Sequence, residues 1–154
     1  MSAEAYPRDE EFLRQALALA REAECAGEVP VGAVVVVGSE VIGRGRNSPI
    51  ARHDPTAHAE ILALRDAAGR LANYRLESAT LYCTLEPCVM CAGALVAARV
   101  SRLVFGARDL RFGGVRSKFR LADSELLNHR LEIVEGILGA ECAELMRNFF
   151  EARR

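Results

Sequence analysis

Three side chains of the kind that bind soft metal ions stand at spacings that constrain how this chain can fold. His58 lies two residues before Glu60, and Cys88 and Cys91 follow about thirty residues later. An imidazole and two thiolates are suitable ligands for zinc. A structural zinc usually has four protein ligands, whereas a catalytic zinc has three and keeps its fourth position for water. The pattern therefore indicates a catalytic zinc site, beside which Glu60 is not needed as a ligand.

The spacing within each pair indicates where these residues lie on secondary structure. Cys88 and Cys91 are three apart and share one face of a helical turn, and Pro87 is suited to the first position of that helix. The sulfur atoms then lie at a helix N-terminus, where the dipole favours thiolates. His58 and Glu60 do not share a helical face, so we expect both at the tip of their helix, pointing into one cleft.

These residue types also indicate a reaction. Zinc lowers the pKa of its bound water to about 7, and a neighbouring carboxylate can take the proton of that water. Glu60 would pass protons to a ring nitrogen and then to the departing amine, so that ammonia leaves. The signature H-x-E…P-C-x-x-C is that of zinc-dependent nucleobase deaminases, which predicts hydrolytic deamination.

Other interpretations of these residues remain open. A Cys-x-x-Cys pair is also typical of redox sites and of one half of a structural zinc site, for which His53 is a possible fourth ligand. We favour His53 as a loop residue that orders the mouth of the cleft, and His129 as a hydrogen-bonded structural residue. The other three cysteines lie among apolar residues and are expected to be buried: Cys25, Cys83 and Cys142.

Apolar patterning predicts one α/β domain over residues 1–154. Predicted strands cover 31–37, 41–46, 79–84, 102–106 and 131–135. Predicted helices run from Asp9 to Gly27, over 57–68 up to Gly69, from Pro87 to about Ala98, and over 138–151, with 49–57 as a loop. The acids at 9–11 suit the start of the first helix, where the dipole favours them. Such alternation implies a sheet with helices on both faces, mostly parallel after the first hairpin.

The charge distribution points to a polyanionic partner. Residues 41–120 hold twelve arginines, one lysine and six acids, a net charge of +7, and they contain the metal motif. A solvated arginine-rich surface is the alternative. The sequence shows neither a signal peptide nor an apolar run long enough for a bilayer, so we expect a cytoplasmic protein with no membrane partner.

Longer runs carry a resemblance to a known family. It rests on Val29-Pro30-Val31-Gly32-Ala33-Val34, on Asn47-Ser48-Pro49-Ile50, on Arg52-His53-Asp54-Pro55-Thr56-Ala57-His58-Ala59-Glu60, on 73–76, on 84–93, on 104–109, on 128–130 and on Phe149-Phe150. Over nearly its whole length the chain resembles bacterial tRNA adenosine deaminases, within the wider cytidine deaminase-like superfamily.

The resemblance implies a three-layer α/β/α cytidine deaminase-like fold with a five-stranded mixed sheet, one Zn²⁺ per chain and a homodimer. It implies conversion of the wobble adenosine in a tRNA anticodon stem-loop to inosine. Asn47 is implied to hydrogen-bond the flipped base, although it also suits a turn before Pro49. Asp109 and Phe150 are implied to contact RNA, although Phe150 also suits a core or a dimer interface.

The chain departs from the family pattern at residues 110–120, where known members have a Gly/Ala-rich stretch. Here four cations and two aromatic residues can bind phosphates and stack on bases, or simply close a surface loop. A deaminase of a free nucleobase or nucleoside, such as guanine or cytosine, is the alternative function. A third possibility is a zinc-stabilised RNA-binding module without catalysis. We disfavour it, because it explains neither Glu60 nor the absence of a fourth protein ligand.

Overall fold

The computed structural model describes residues 4–154, so residues 1–3 of the expected domain lie outside it. Within this range the chain alternates helices and strands in the predicted order. The helices are α1 (Asp9–Cys25), α2 (Pro49–Arg52), α3 (Ala59–Leu71), α4 (Val89–Ala97) and α5 (Gly139–Glu151). The strands are β1 (Gly32–Val37), β2 (Glu40–Arg46), β3 (Ala79–Leu85), β4 (Arg102–Ala107) and β5 (Glu132–Glu135). None of the helices in the described range is long and apolar enough to cross a membrane.

The five strands form one mixed sheet in the order β2-β1-β3-β4-β5. β1 is antiparallel to both of its neighbours, whereas β3, β4 and β5 run parallel. The expected five-stranded mixed sheet is therefore confirmed. The antiparallel pairing of β1 with β3 lets the hairpin β1–β2 join a parallel half-sheet.

Side chains that alternate along the strands supply two apolar cores, one on each face of the sheet. Leu81 and Cys83 of β3 point into the larger core with α3 and α4, whereas Tyr82 between them packs against α1. On the α1 side, Leu17 of α1 also meets Cys142 of α5. Helices thus cover both faces in three layers, as α/β proteins require to bury both sides of a largely parallel sheet.

Three local predictions differ from the structure. Residues 49–57 are not wholly a loop, because Pro49 starts the single turn α2, whose N–H groups at Ile50 and Ala51 are bound by the Glu28 carboxylate. Gly69 does not end α3, which continues to Leu71 and is closed by a left-handed residue at position 72. Cys25 is exposed at the end of α1, whereas the other two non-motif cysteines are buried.

Asp9 has a different role from the one its place at a helix start predicts. Its carboxylate is buried and accepts two hydrogen bonds of 2.7 Å from the guanidinium of Arg102 and one of 2.7 Å from Tyr82 Oη. Burial would raise the pKa of Asp9, but these donors and the N–H of Tyr6 outweigh it and hold the pKa below its ordinary value. The hydrogen bonds of Asp9 with Tyr82 and Arg102 thus connect α1 to β3 and β4.

We expect Asp9→Asn to lower the free energy of unfolding by about 3–5 kcal/mol, because it leaves the Arg102 charge buried without a counter-ion. The lowered pKa of Asp9 means that the folded state binds its proton more weakly than the unfolded state. The stability difference between wild type and variant should therefore be full near neutral pH and shrink as the pH falls through the lowered pKa of Asp9. Urea unfolding across pH measures this. Glu11→Gln breaks the exposed pair with Arg8 and should behave as wild type; equal losses in both variants would contradict the buried role of Asp9.

Candidate metal centre and base pocket

The site lies at the edge of the sheet where three strands end. Because β1 is antiparallel to both β2 and β3, those two strands run in the same direction, and β4 runs parallel to β3. Asn47 directly follows β2, Glu86 directly follows β3, and Asp109 lies two residues beyond β4. Residues far apart in the chain are thereby collected at one edge, as in other parallel sheets.

His58, Cys88 and Cys91 form a group that can hold a metal ion. The Nδ1 atom of His58 lies 3.5 Å from the sulfur of Cys88 and 3.5 Å from that of Cys91. A tetrahedral zinc with Zn–N of about 2.0–2.1 Å and Zn–S of about 2.3 Å places its nitrogen and sulfur ligands roughly 3.5 Å apart. The three donors therefore fit a zinc ion in both type and spacing.

Within residues 4–154 no fourth histidine, cysteine or carboxylate joins this group. His53 is exposed and closes α2 in a left-handed conformation, and it does not line the cavity described below. The Nε2 atom of His129 lies 2.6 Å from the carbonyl oxygen of Val100, which is the structural hydrogen bond expected for it. The described donors therefore make a three-ligand set, which is the number typical of catalytic zinc.

Two helix N-termini present these ligands. His58 is the N-cap residue of α3 and Cys88 is the N-cap residue of α4, both with extended backbone. Pro87 therefore precedes the N-cap residue of α4. The prediction that Pro87 occupies the first helical position was wrong. A hydrogen bond from Cys91 lowers the pKa of Cys88 to about 4 against the effect of burial, and His58 adds to the lowering. That hydrogen bond, together with burial, raises the pKa of Cys91.

Glu60 is the second residue of α3 and lies beside the ligand group. Its carboxyl is almost fully buried, and burial raises the pKa of Glu60 to about 7. A carboxyl group with a pKa near neutrality can both accept and donate a proton at physiological pH. The position and environment of Glu60 therefore suit proton transfer.

A cavity of about 480 Å³ opens in front of these groups. Residues from five parts of the chain line it, including His58, Glu60, Cys88, Asn47, Asp109 and Phe150. Cys91 is buried behind the cavity wall. The neighbouring aromatic residue Phe149 is buried, so of the two adjacent rings only Phe150 faces the cavity.

Asn47 is held in one orientation. Its Oδ1 atom accepts a hydrogen bond of 2.8 Å from the N–H of Ala59, the first residue of α3. The carboxamide oxygen is thereby occupied, and the NH₂ group is the part left to interact with a ligand in the cavity. Asn47 thus offers a donor to an acceptor atom of a bound base.

Two buried carboxylates near the cavity were not predicted from the sequence. Glu28 holds the turn α2 on one side. Glu86 accepts hydrogen bonds from residues 109–117 on the other side. Burial would raise the pKa of Glu86, but the hydroxyl of Ser117 and the backbone N–H donors lower it. Glu86 stands within the family-like run 84–93, yet no local pattern indicates that its partners lie 23–31 residues away.

The backbone of α3 rests directly on β2, which fixes where His58 and Glu60 project. A methyl group added at Gly45 would overlap the carbonyl oxygen of Ala59 and lie 2.6 Å from the nitrogen of Ala63. Only glycine allows an approach this close between helix and strand.

Comparisons with known proteins agree with this geometry. The model of the MafB19-like deaminase family matches residues 8–154. A tRNA-specific adenosine deaminase of Haemophilus influenzae is 51% identical over 147 residues, which are 95% of this chain and 85% of that protein. A solved structure from work on A-to-I editing by tRNA:A34 deaminases at the wobble position has a TM-score of 0.85 and 42% identity, covering 88% of this chain and 98% of the other. A guanine deaminase from Nitrosomonas europaea has a TM-score of 0.80 and 27% identity, covering 96% and 86%.

We expect Gly45→Ala to displace the start of α3, lower the free energy of unfolding by about 1–3 kcal/mol through overpacking, and weaken metal binding. Gly69→Ala, later in the same helix, meets open space and should stabilise the protein by about 0.5–1 kcal/mol with unchanged metal affinity. Denaturant unfolding and titration of each variant with zinc measure both effects. Wild-type stability and metal affinity in Gly45→Ala would show that this contact does not hold α3 in place.

Proposed function

The chain belongs to the tRNA-specific adenosine deaminase family, and we therefore propose that it converts the wobble adenosine of a tRNA anticodon to inosine by hydrolytic deamination. The observation that carries this proposal is the three-ligand metal group beside the buried carboxyl of Glu60, both facing one cavity. A water molecule adds its oxygen to C6 of adenine, and the exocyclic amine leaves as ammonia.

The proposed cofactor is one zinc ion per chain, held by His58 Nδ1 and the sulfurs of Cys88 and Cys91. The observed N···S distances of 3.5 Å and the soft donor set support this choice. When bound, zinc supplies Lewis-acid activation of water. The N-terminus of α4, where Cys88 is the N-cap residue, favours the thiolate form of Cys88.

Glu60 is proposed to carry the protons of the reaction. It accepts a proton from the attacking water and gives it to N1 of the adenine ring, then takes the proton of the hydroxyl now on C6 and gives it to the departing amine. Its pKa of about 7 makes both transfers accessible to the same carboxyl group.

Asn47, Asp109 and Phe150 are proposed to bind the RNA. The NH₂ group of Asn47 donates to a ring nitrogen of the adenine, because its carbonyl oxygen is already bound to Ala59. Asp109 and the ring of Phe150 lie at the cavity lining, where they meet the nucleotides around the flipped base. The wobble base is unpaired in the anticodon loop, so moving it into a pocket costs less than for a duplex base.

We also propose that two copies of the chain associate and that the protein acts in the cytoplasm, where its tRNA substrate occurs. An apolar surface between α3 and α4 supports a homodimer, because it carries the largely exposed Tyr74 next to small and aliphatic residues. These neighbours are Ile61, Ala68, Ala94, Ala97 and Ala98. Contiguous exposed apolar surface of this kind is typical of protein interfaces.

A deaminase of a free nucleobase is the second candidate, favoured by the structural similarity to a guanine deaminase. We expect an anticodon stem-loop carrying adenosine at the wobble position to be turned over, and free adenosine, cytidine and guanine to be left unchanged. Mass spectrometry of the stem-loop detects the gain of about one dalton when an amine is replaced by oxygen. Turnover of the free bases or nucleosides with an untouched stem-loop would overturn the tRNA assignment.

Glu60→Ala should keep the fold and the bound zinc but reduce kcat on the stem-loop by about 10²–10⁴-fold, because the proton carrier is lost. Cys88→Ala should instead lose zinc, and stability with it, since metal binding is coupled to folding. Metal analysis, thermal unfolding and single-turnover kinetics separate the two defects. Substantial activity in Glu60→Ala would remove this residue from the proton path, and one zinc per chain at wild-type affinity in Cys88→Ala would remove Cys88 from the ligand set.

A further inference from the structure

One buried carboxylate accepts hydrogen bonds from both ends of a chain segment that lines part of the cavity. The carboxylate of Glu86, 2% exposed, accepts backbone N–H bonds from Val115, Arg116 and Ser117 at 3.0, 2.7 and 2.9 Å. Its other oxygen accepts the N–H of Asp109 at 3.1 Å and the hydroxyl of Ser117. All of these donors lie within residues 109–117, here called the distal wall, so Glu86 binds both ends of that segment.

The distal wall has one further side-chain anchor, the ion pair of the buried Arg116 with Asp123 at 2.9 Å, and its residue Val115 packs in the larger core. It contains no helix or strand, and its remaining ties to the metal centre are backbone contacts of Gly113 and Gly114 with Pro87 and Cys88. A methyl group at Gly113 would overlap the Glu86 carboxylate. The segment therefore crosses directly above Glu86, which binds both of its ends, while the Arg116–Asp123 pair adds a contact in its second half.

The first part of the distal wall, residues 109–112, presents side chains to the cavity and to solvent, whereas residues 113–116 are buried. Asp109, Arg111 and Phe112 line the cavity, and Phe112 is 62% exposed at its mouth. The guanidinium of Arg111 lies 5.4 Å from the ring centre of Phe112. An aromatic ring beside a cation is a suitable platform for a nucleotide that flanks the flipped base.

We propose that Glu86 is a positioning residue that keeps the distal wall preformed for the RNA, and thereby sets affinity for the anticodon loop without taking part in the chemistry. This inference rests on the proposed function. Glu86 also lines the cavity, but both of its oxygens are already bound by the distal wall, so it acts through the residues it positions, Phe112 and Arg111. A preformed wall lowers the conformational entropy lost when RNA binds.

Glu86→Gln tests the proposal with little change in shape. An amide offers one acceptor oxygen, and its NH₂ group faces N–H donors, so at least one end of the distal wall loses its partner. Hydrogen exchange of the Asp109, Val115, Arg116 and Ser117 amides should accelerate about tenfold or more, while amides of β3 stay protected. Glu77→Gln, at an exposed acid paired with Arg75, is the matched control and should leave all of them unchanged.

Kinetics on the anticodon stem-loop give the second measurement. In Glu86→Gln the KM should rise about tenfold with kcat within about threefold and zinc content unchanged, because binding is lost and chemistry is not. Phe112 is exposed, so Phe112→Ala should leave the core folded and raise KM in the same way. The double variant should be no worse than the weaker-binding single variant, because both changes remove the same wall.

Three results would overturn the proposal: unchanged exchange of the 115–117 amides in Glu86→Gln, a fall in kcat with unchanged KM, or additive effects of the two substitutions. A loss of folded molecules alone lowers kcat and leaves KM as it was, so a merely structural role is distinguishable. Wild-type protein that leaves the stem-loop untouched overturns the proposed function and the assignment of this wall to RNA. The exchange measurement still decides on its own whether Glu86 holds the segment.

Discussion

The shared direction of β2, β3 and β4 is the constraint on which the site depends. Since the chain leaves all three strands at the same edge of the sheet, His58, Cys88 and Asp109 meet there although they are remote in sequence. The antiparallel strand β1 makes this possible, because it separates β2 from β3 while leaving them parallel to each other. Reversing any one of the three strands would carry its following residues to the opposite edge and divide the metal group from its cavity.

Features governed by local chemistry could be predicted from the sequence. Strand alternation and helical stripes located the five strands and four longer helices to within a few residues, and the donor types indicated the metal group. The turn α2 and the true end of α3 could not be predicted in this way. α2 is stabilised by Glu28, about twenty residues earlier in the chain. Gly69 has open space around it, so nothing in the fold requires the helix to end there.

Buried acids show most clearly why the rest could not be predicted. Asp9 suits the start of a helix by local rules, but its partner Arg102 lies 93 residues later. Glu86 looks like an ordinary residue before Pro87, but its partners lie on a segment that joins it only in the folded protein. A carboxylate is defined by the donors that surround it, and in both cases those donors come from tertiary structure.

The way in which the distal wall is held allows some of its side chains to vary without a change in its backbone. Four of the five donors to Glu86 are backbone N–H groups, which any residue except proline supplies. Positions 110–112 donate nothing to Glu86, so their side chains can change without releasing the wall. A substitution at positions 110–112 changes the side chains that a ligand would meet. The metal-binding group and Glu60 lie at the starts of α3 and α4 and keep their positions. The residues proposed to contact the RNA are thus held apart from those proposed to carry the chemistry, and the fold is shared by solved structures of a tRNA:A34 deaminase and of a guanine deaminase.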